Sequence, residues 1–365
     1  MNSQTEFVDC LIVGQGLAGS LLAWELIRRQ RRVVIADPGG NDADPGASWV
    51  SGGVINPMSG RRFTKPADLE PLLSSAIDLY GEIEEAFRLI LFQETPIWRI
   101  FNDDLEAAQL AKRAEDPAYQ PYIGERRPPG KLGHGLADPR GSVCIRGARV
   151  DLPKLLGRLR QFYRDTARLI EQRLEAEDLQ IRDGLVHWRH LRARQVVFCE
   201  GHRVGQNPWF HWAPVRPSKG EVLTVGVRRP LPEGIISAGK GLIPLGEGRY
   251  RLGATYQRDH TDTTPTEAAR RELLEGFRNL FLDPPAVTVL EHLAGIRPGK
   301  TDHHPVLGRH PDHPQLAILN GLGSKGAILA PHYARLLADH MEKGSPIPQP
   351  ADARYWHERR NSASG

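Results

Sequence analysis

The stretches FVDCLIVGQGLAG at residues 7–19 and VVIAD at residues 33–37 decide the reading of the fold. Phe7 to Val13 is a short apolar run suited to a buried strand, and Gly14-Gln15-Gly16-Leu17-Ala18-Gly19 follows at once. Ala18, Leu22, Leu26 and Ile27 recur at helical spacing and predict a helix to about Arg29. Val33 to Ala36 predicts a second strand that ends at Asp37. Strand, glycine turn, helix, strand and acid stand in the order and length that a dinucleotide requires. Gly14 permits the tight turn, Gly16 lets the backbone approach a diphosphate, and Gly19 lets the helix pack closely on the strand. Leu17 and Ala18 open the helix, whose unpaired N–H groups and partial positive charge suit phosphate. Asp37 is placed to accept hydrogen bonds from ribose hydroxyls.

Nicotinamide and flavin nucleotides both use such a fingerprint, and position separates them. Here it lies near the amino terminus and is followed by a second small-residue segment, Gly46-Ala47-Ser48-Trp49-Val50-Ser51-Gly52-Gly53. Ala47, Ser48, Gly52 and Gly53 would let the chain pass close to a large planar ring, which favours the flavin.

Working outward, the 365 residues suit two packed domains. A 40% hydrophobic and 25% charged composition is that of a globular protein and excludes disorder as the main state. No apolar run approaches the roughly 18 residues of a membrane span, and no secretory leader is visible. Cys10, Cys144 and Cys199 build neither a disulfide framework nor a metal-ligand spacing, so no metal is expected and a reducing, cytoplasmic setting is. The net charge of +4 does not demand nucleic acid as a partner.

Leu69 to Phe87 carries the spacing of a long amphipathic helix, and a turn-rich stretch then runs to Val143. Asp151 is a predicted N-cap with Pro153 in the first turn. Asp183-Gly184 joins two short strand candidates as a tight hairpin. Gln195 to Cys199 reads as a strand buried on both faces, ending at Glu200-Gly201 beside the nucleotide. Between Lys219 and Pro298 the pattern is mostly strand, at 222–227, 241–245, 250–256 and 287–293. Thr264-Pro265-Thr266-Glu267 is expected to cap one helix there, with Pro265 at its first position. Near the end, Leu316 to Leu319 predicts a last buried strand leading into Asn320-Gly321-Leu322-Gly323-Ser324-Lys325-Gly326 and a helix. That turn is a second anion-receptive helix start, suited to the charge of a reduced flavin.

With these pieces in place, the chain from Val8 to about Met341 resembles the D-amino-acid oxidase superfamily of flavoproteins, particularly the branch containing glycine oxidase. Besides the amino-terminal fingerprint, the resemblance rests on Lys219-Gly220-Glu221, Leu252-Gly253-Ala254-Thr255, Ala294 to Pro298 and Gly326 to Pro331, in family order. It implies an α/β fold: a discontinuous Rossmann-type FAD-binding domain plus a substrate domain with a mostly antiparallel sheet. The expected FAD-binding domain comprises 1–65, 146–213 and 293–345, the substrate domain 66–145 and 214–292, and 346–365 is a carboxy-terminal tail. It also implies noncovalent FAD, a small-molecule amine or amino-acid substrate oxidised at its C–N bond, and oxygen as acceptor, giving hydrogen peroxide. Leu174, Glu200, Gly201, Gly321, Gly323, Ser324, Lys325 and Gly326 join the opening loops in the implied cofactor site.

Carried over residue by residue, Arg297 matches the family arginine that holds a substrate carboxylate and also borders the cofactor. The second carboxylate-binding position falls on Ser324, with Lys325 beside it as a substitute cation. A family active-site tyrosine falls near Gly241, which predicts a wider pocket. The tethering cysteine of sarcosine-oxidase relatives falls near Gly295, which excludes covalent attachment there. Arg251 falls where some relatives carry a basic residue that helps oxygen react. His303 and His304 are expected to be surface histidines. Two alternatives stand beside amine oxidation. One is FAD-dependent oxidation of a carboxymethylaminomethyl group on a tRNA wobble uridine. The other is a non-catalytic FAD-binding protein.

Overall fold

The structure, a computed structural model, describes residues 6–39 and 46–363. The opening unit forms as its sequence predicts: β1 (Glu6–Val13), α1 (Leu17–Arg28) and β2 (Val33–Ala36). All of β2 and the last four residues of β1 are buried, as parallel strands covered on both faces must be. A single turn, α2 (Ala47–Val50), leads to β3 (Val54–Ile55), and α3 (Leu69–Phe87) buries its apolar face from Leu69 to Ile83. β4 (Phe92–Ile100) and α4 (Asp104–Ala114) lie where the sequence shows only turns. β4 carries Pro96 and no clean alternation of burial, and α4 buries only Glu106 and Leu110, so neither has a strong periodic signature.

β5 (Ile123–Arg127) and β6 (Ser142–Val150) precede α5 (Leu152–Asp165). Asp151 caps α5 as expected, accepting from Lys154 N at 3.3 Å. After β7 (Leu169–Ile170), the hairpin of β8 (Gln180–Arg182) and β9 (Leu185–Trp188) turns at Asp183 and Gly184. Both take positive φ, 52° and 73°, as a tight two-residue turn requires. β10 (Leu191–Phe198) completes the first half.

The second half contains β11 (Arg216–Val227), β12 (Ile235–Ala238), β13 (Lys240–Gly246), β14 (Arg249–Gly253) and β15 (Gln257–Arg258). α6 (Glu267–Arg278) and β16 (Val287–Gly299) follow. The chain closes with β17 (Val306–Arg309), β18 (Leu316–Asn320), α7 (Gly326–Lys343) and α8 (Ala353–Ala363). The start of α6 corrects the sequence reading. Its N-cap is Thr266, not Thr264, and Pro265 precedes the cap. The reason is Glu221 on β11, whose carboxylate accepts from Thr266 N (2.7 Å) and Thr266 Oγ1 (3.0 Å) and fixes the helix start from outside. The expected tail is also more ordered than its composition suggests, since α8 and the turn before it pack against β17, with Ala351 and Ala353 both buried.

Two sheets result. The first runs β17-β18-β10-β1-β2-β7, parallel from β18 to β7, with β9 and β8 added at β10. α1 and α7 pack together over it, and α3 packs on α7. The second runs β15-β11-β14-β13-β12-β4-β6-β3, antiparallel except between β12 and β4, with β16 on β11 and β5 on β6. The mixed α/β architecture is thus the one expected. β6 and β16 are each continuous across the expected domain borders at 145/146 and 292/293, and both lie wholly in the second sheet.

β11 sorts its residues by side. Leu223 and Val225 face a core shared with Leu273 and Phe277 of α6. Gly220 and Val222, on the opposite face, line a large cavity between the sheets.

Candidate active site

The cavity encloses about 940 Å³ and is walled by the ends of β1, β2 and β10, by the segment 46–54, and by β11, β14 and β16. Its position outside the carboxyl ends of parallel strands is where doubly wound sheets bind ligands.

At the first-sheet end the backbone makes a cradle. Gly14 has φ +100°, and a Cβ there would strike the Cys199 carbonyl. A Cβ on Gly19 would run into the Gly14 carbonyl, while Gly16 faces open space with Ser48 Oγ its nearest neighbour. Gly16 is the N-cap of α1 and brings no side chain, so Ser48 Oγ accepts from Leu17 N at 3.2 Å. The backbone of that turn, from Gly14 to Ala18, lines the cavity, where a helix start suits a diphosphate. Asp37 is already engaged: Gln15 N donates to Oδ2 (2.8 Å), and Gly39 N (3.0 Å) and Arg160 Nη1 (2.8 Å) donate to Oδ1. Arg160 also reaches Gln15 Oε1 and Glu171 Oε1, each at 3.0 Å. Arg164 and Arg160 together hold the Glu171 carboxyl down to about 2. Leu174, Glu200 and Gly201 line the same end. Asn207 Nδ2 donates to Glu200 Oε2 at 2.8 Å, yet burial, with Glu175 adding to it, pushes the Glu200 carboxyl up to about 7.

Ala47, Ser48, Gly52 and Gly53 line the middle. A Cβ on Gly52 would collide with Ile243, and one on Gly53, at φ +66°, with the Val150 carbonyl. A Cβ on Gly295 would crowd Ala47 and Val50. From the other side comes the last loop, where Asn320 Nδ2 donates to Gly201 O (2.9 Å) and Asn320 Oδ1 accepts from Gly321 N (2.8 Å). Gly323, Ser324 and Gly326 line the cavity, and α7 opens there without a side-chain cap. Gly321, at φ +77°, shapes the turn without lining the cavity. Lys325, expected as a substitute cation, is not among the lining residues. Burial lowers its ammonium pKa, with Asp68 opposing. Gly241 is not a lining residue either and pairs with Gly253 inside the sheet.

The second-sheet end is rich in cations that lack partners. Arg297 on β16 lays its guanidinium over Gly220, where any Cβ would collide with it, and makes one long hydrogen bond, from Nη1 to Thr255 O at 3.4 Å. Among the described residues no carboxylate pairs with it, and burial lowers its pKa. Arg251 on β14 is 8% exposed, and its Nε and Nη1 have no hydrogen-bond partner. Sequence reasoning missed Arg160, Gln15 and Asn207 at the first-sheet end. None belongs to the glycine fingerprint's set of expected contacts, and Arg160 sits on α5 with nothing in its spacing to mark it.

Away from the cavity, His310, Asp312 and His357 bring ligand atoms within 4.8 Å of one another. His310 Nδ1 is already occupied, accepting from Asp312 N (3.1 Å) and His313 N (3.3 Å), and His310 and His357 meet Trp212 edge-on. The group ties α8 to the first sheet. His303 is exposed in its turn, as expected.

The glycine cradle, the uncapped starts of α1 and α7 and the small residues of segment 46–53 fit FAD stretched along the cavity. Comparison with known proteins agrees. A family profile for FAD-dependent oxidoreductases of the DAO type matches residues 9–340. The chain is 28% identical to glycine oxidase of Pseudomonas aeruginosa, over 93% of this chain and 96% of that protein. It is 26% identical to the bifunctional tRNA 5-methylaminomethyl-2-thiouridine biosynthesis protein of Aeromonas hydrophila, over 95% of this chain but 59% of that one. Among solved structures, glycine oxidase from Geobacillus kaustophilus superposes with a TM-score of 0.81 at 23% identity, over 94% of this chain and 96% of that one. Iminodiacetate oxidase from a Chelativorans species gives 0.76 at 23% identity, over 95% and 98%. The chain belongs to the DAO family of FAD-dependent oxidoreductases, in its glycine oxidase-like branch, and is an FAD-dependent enzyme that acts on amino acids or amines.

Proposed function

We propose that the protein oxidises the carbon–nitrogen bond of an amino acid or secondary amine that bears a carboxylate. The observation that carries this reading is Arg297: a guanidinium at the cavity wall, partly desolvated, with no acidic partner among the described residues. Such a group is costly to bury alone and is satisfied by a ligand carboxylate, which its planar fork engages through two parallel hydrogen bonds. Bound FAD supplies a two-electron acceptor, to which the substrate carbon gives up hydride. Arg297 orients the substrate by its carboxylate. The apolar side chains of Val222, Ile243 and Ile296 exclude water from the wall around it. The resulting imine is hydrolysed by water, and oxygen is the proposed final acceptor, yielding hydrogen peroxide. No dedicated base is needed if the amine arrives neutral.

Anaerobic mixing of the holoenzyme with a panel of amino acids and N-alkyl glycines tests this reading. Bleaching of the yellow flavin band by a carboxylate-bearing amine is expected, with peroxide formed on readmitting air. A spectrum unchanged across the panel would leave a non-catalytic FAD-binding role. The similarity to tRNA-modifying proteins supports a second substrate, a carboxymethylaminomethyl group on a wobble uridine, which also presents a carboxylate to Arg297. Salt-dependent tRNA binding separates that case, because phosphate contacts weaken steeply with salt. Three unpaired cysteines fit a cytoplasmic location. Among the described residues no helix is long and apolar enough to cross a membrane.

A further inference from the structure

A guanidinium that is to receive a ligand carboxylate has to be held still while its N–H groups stay unoccupied. The cavity face of the second sheet supplies a frame of that kind around Arg297. Arg297 of β16 lies opposite Ser218 of β11, two residues from Gly220, and its guanidinium runs diagonally over the glycine. Along the other edge of β11, Ser218 pairs with Arg258 and Lys219 with Gln257 of β15. Thr255 N donates to Glu221 O at 3.1 Å, and Thr255 Oγ1 accepts from Glu221 N at 2.9 Å. These two bonds continue the register and set Tyr256 beside Gly220. The guanidinium thus crosses a lane free of side chains and meets the Tyr256 ring, with Cζ 5.8 Å from the ring centroid. Its Nη1 reaches the doubly fixed Thr255 carbonyl at 3.4 Å.

Nothing in the packing of the core accounts for Tyr256. It is 63% exposed, and among the described residues its hydroxyl makes no hydrogen bond and its ring meets no aromatic or cationic group but Arg297. Tyr256 also opposes the lowering that burial imposes on the Arg297 pKa. An aromatic face attracts a guanidinium through its quadrupole and leaves the in-plane N–H groups free, which a carboxylate partner would not do. We propose that Tyr256 is a positioning residue for Arg297: its ring braces the guanidinium over Gly220 from the solvent side. The donors that Thr255 O does not use then stay free for the substrate carboxylate. This rests on the reading of Arg297 as the group that holds that carboxylate. Tyr256 is not among the residues that line the cavity and acts through Arg297, so recognition of a carboxylate-bearing amine depends on an exposed side chain outside the wall.

The test uses the FAD-loaded protein and (methylthio)acetate, in which sulfur replaces the amine nitrogen so that the probe binds without being oxidised. Binding is read from the shift of the flavin absorption band and, independently, from the rise in melting temperature. Tyr256→Phe keeps the ring and should bind the probe within about twofold of wild type. Tyr256→Leu keeps bulk without an aromatic face and should bind it roughly tenfold more weakly, as loss of a partly desolvated cation–π contact does. Because Tyr256 is exposed, both variants should hold FAD with a wild-type spectrum and, without the probe, melt as the wild type does. Unchanged affinity in Tyr256→Leu would overturn the brace. An equal loss in Tyr256→Phe would overturn it too, by assigning the effect to the phenolic hydroxyl. A lowered melting temperature of probe-free Tyr256→Leu would do the same, by making the role structural. All three results leave the reading of Arg297 standing. If wild-type protein that holds FAD does not bind the probe, that reading falls and the brace with it.

Discussion

The two ends of the cavity treat arginine in opposite ways. At the first-sheet end Arg160 is fully employed, with Asp37, Glu171 and the Gln15 amide around it, and Asn207 answers Glu200. At the second-sheet end Arg297 and Arg251 are desolvated and face space. A paired arginine in a wall is architecture, since removing either partner strands the other. An unpaired one imposes a cost on the empty protein and is repaid only when a ligand arrives. Under the proposed function, the difference separates residues that would shape the cofactor's seat from those that would select what is oxidised.

The largest effect should come from the contact on which both ends depend. Gly19→Val forces a side chain into the Gly14 carbonyl, where backbone cannot yield. It should cost upward of ~3 kcal/mol and give colourless, poorly soluble protein, checked by flavin absorbance and thermal melting. Next, Arg297→Met should lower kcat/KM for carboxylate substrates by roughly a hundredfold to a thousandfold, as loss of a buried charge-assisted contact does. Its melting temperature without ligand should not fall, and a clear fall would break the contrast by showing Arg297 to be structural.

Arg160→Ala should behave inversely. It takes from Asp37 its cationic donor, leaving Gln15 N and Gly39 N, and should cost about 1–2 kcal/mol and weaken FAD binding by roughly tenfold, while turnover of FAD-saturated enzyme changes little. The smallest effect is one of pH. Glu200 has its carboxyl raised from 4.5 to about 7 in the folded protein, chiefly by burial. The folded state therefore holds the proton more tightly, and stability should decline as pH rises from about 4.5 to about 7, then level off. Glu200→Gln should flatten that decline and raise the melting temperature at pH 8.

Much of the cofactor's seat was legible because it is local. Gly14, Gly16, Gly19 and Asp37 form one strand-turn-helix-strand unit, and backbone geometry alone dictates which residues can stand there. Segment 46–53 and the turn before α7 were legible for the same reason. The paired partners were not, because Arg160 meets Asp37 across 123 residues and only the folded chain brings them together. β4 escaped notice because a strand at the junction of two lobes, with Pro96 in it, lacks alternating burial. Lys325 shows the limit of carrying a role to a neighbour: Ser324 lines the cavity, and Lys325, one step along the turn, does not. The cap of α6 was placed two residues early because Glu221, which fixes it, lies 45 residues upstream.

The uninterrupted course of β6 and β16 across the expected borders has a practical corollary. A cut at either border severs a ladder in mid-strand and bares sticky edges. Chimeras that aim to exchange substrate preference between relatives should splice at the hairpin turn between β13 and β14, near 247–248, leaving β6 and β16 whole.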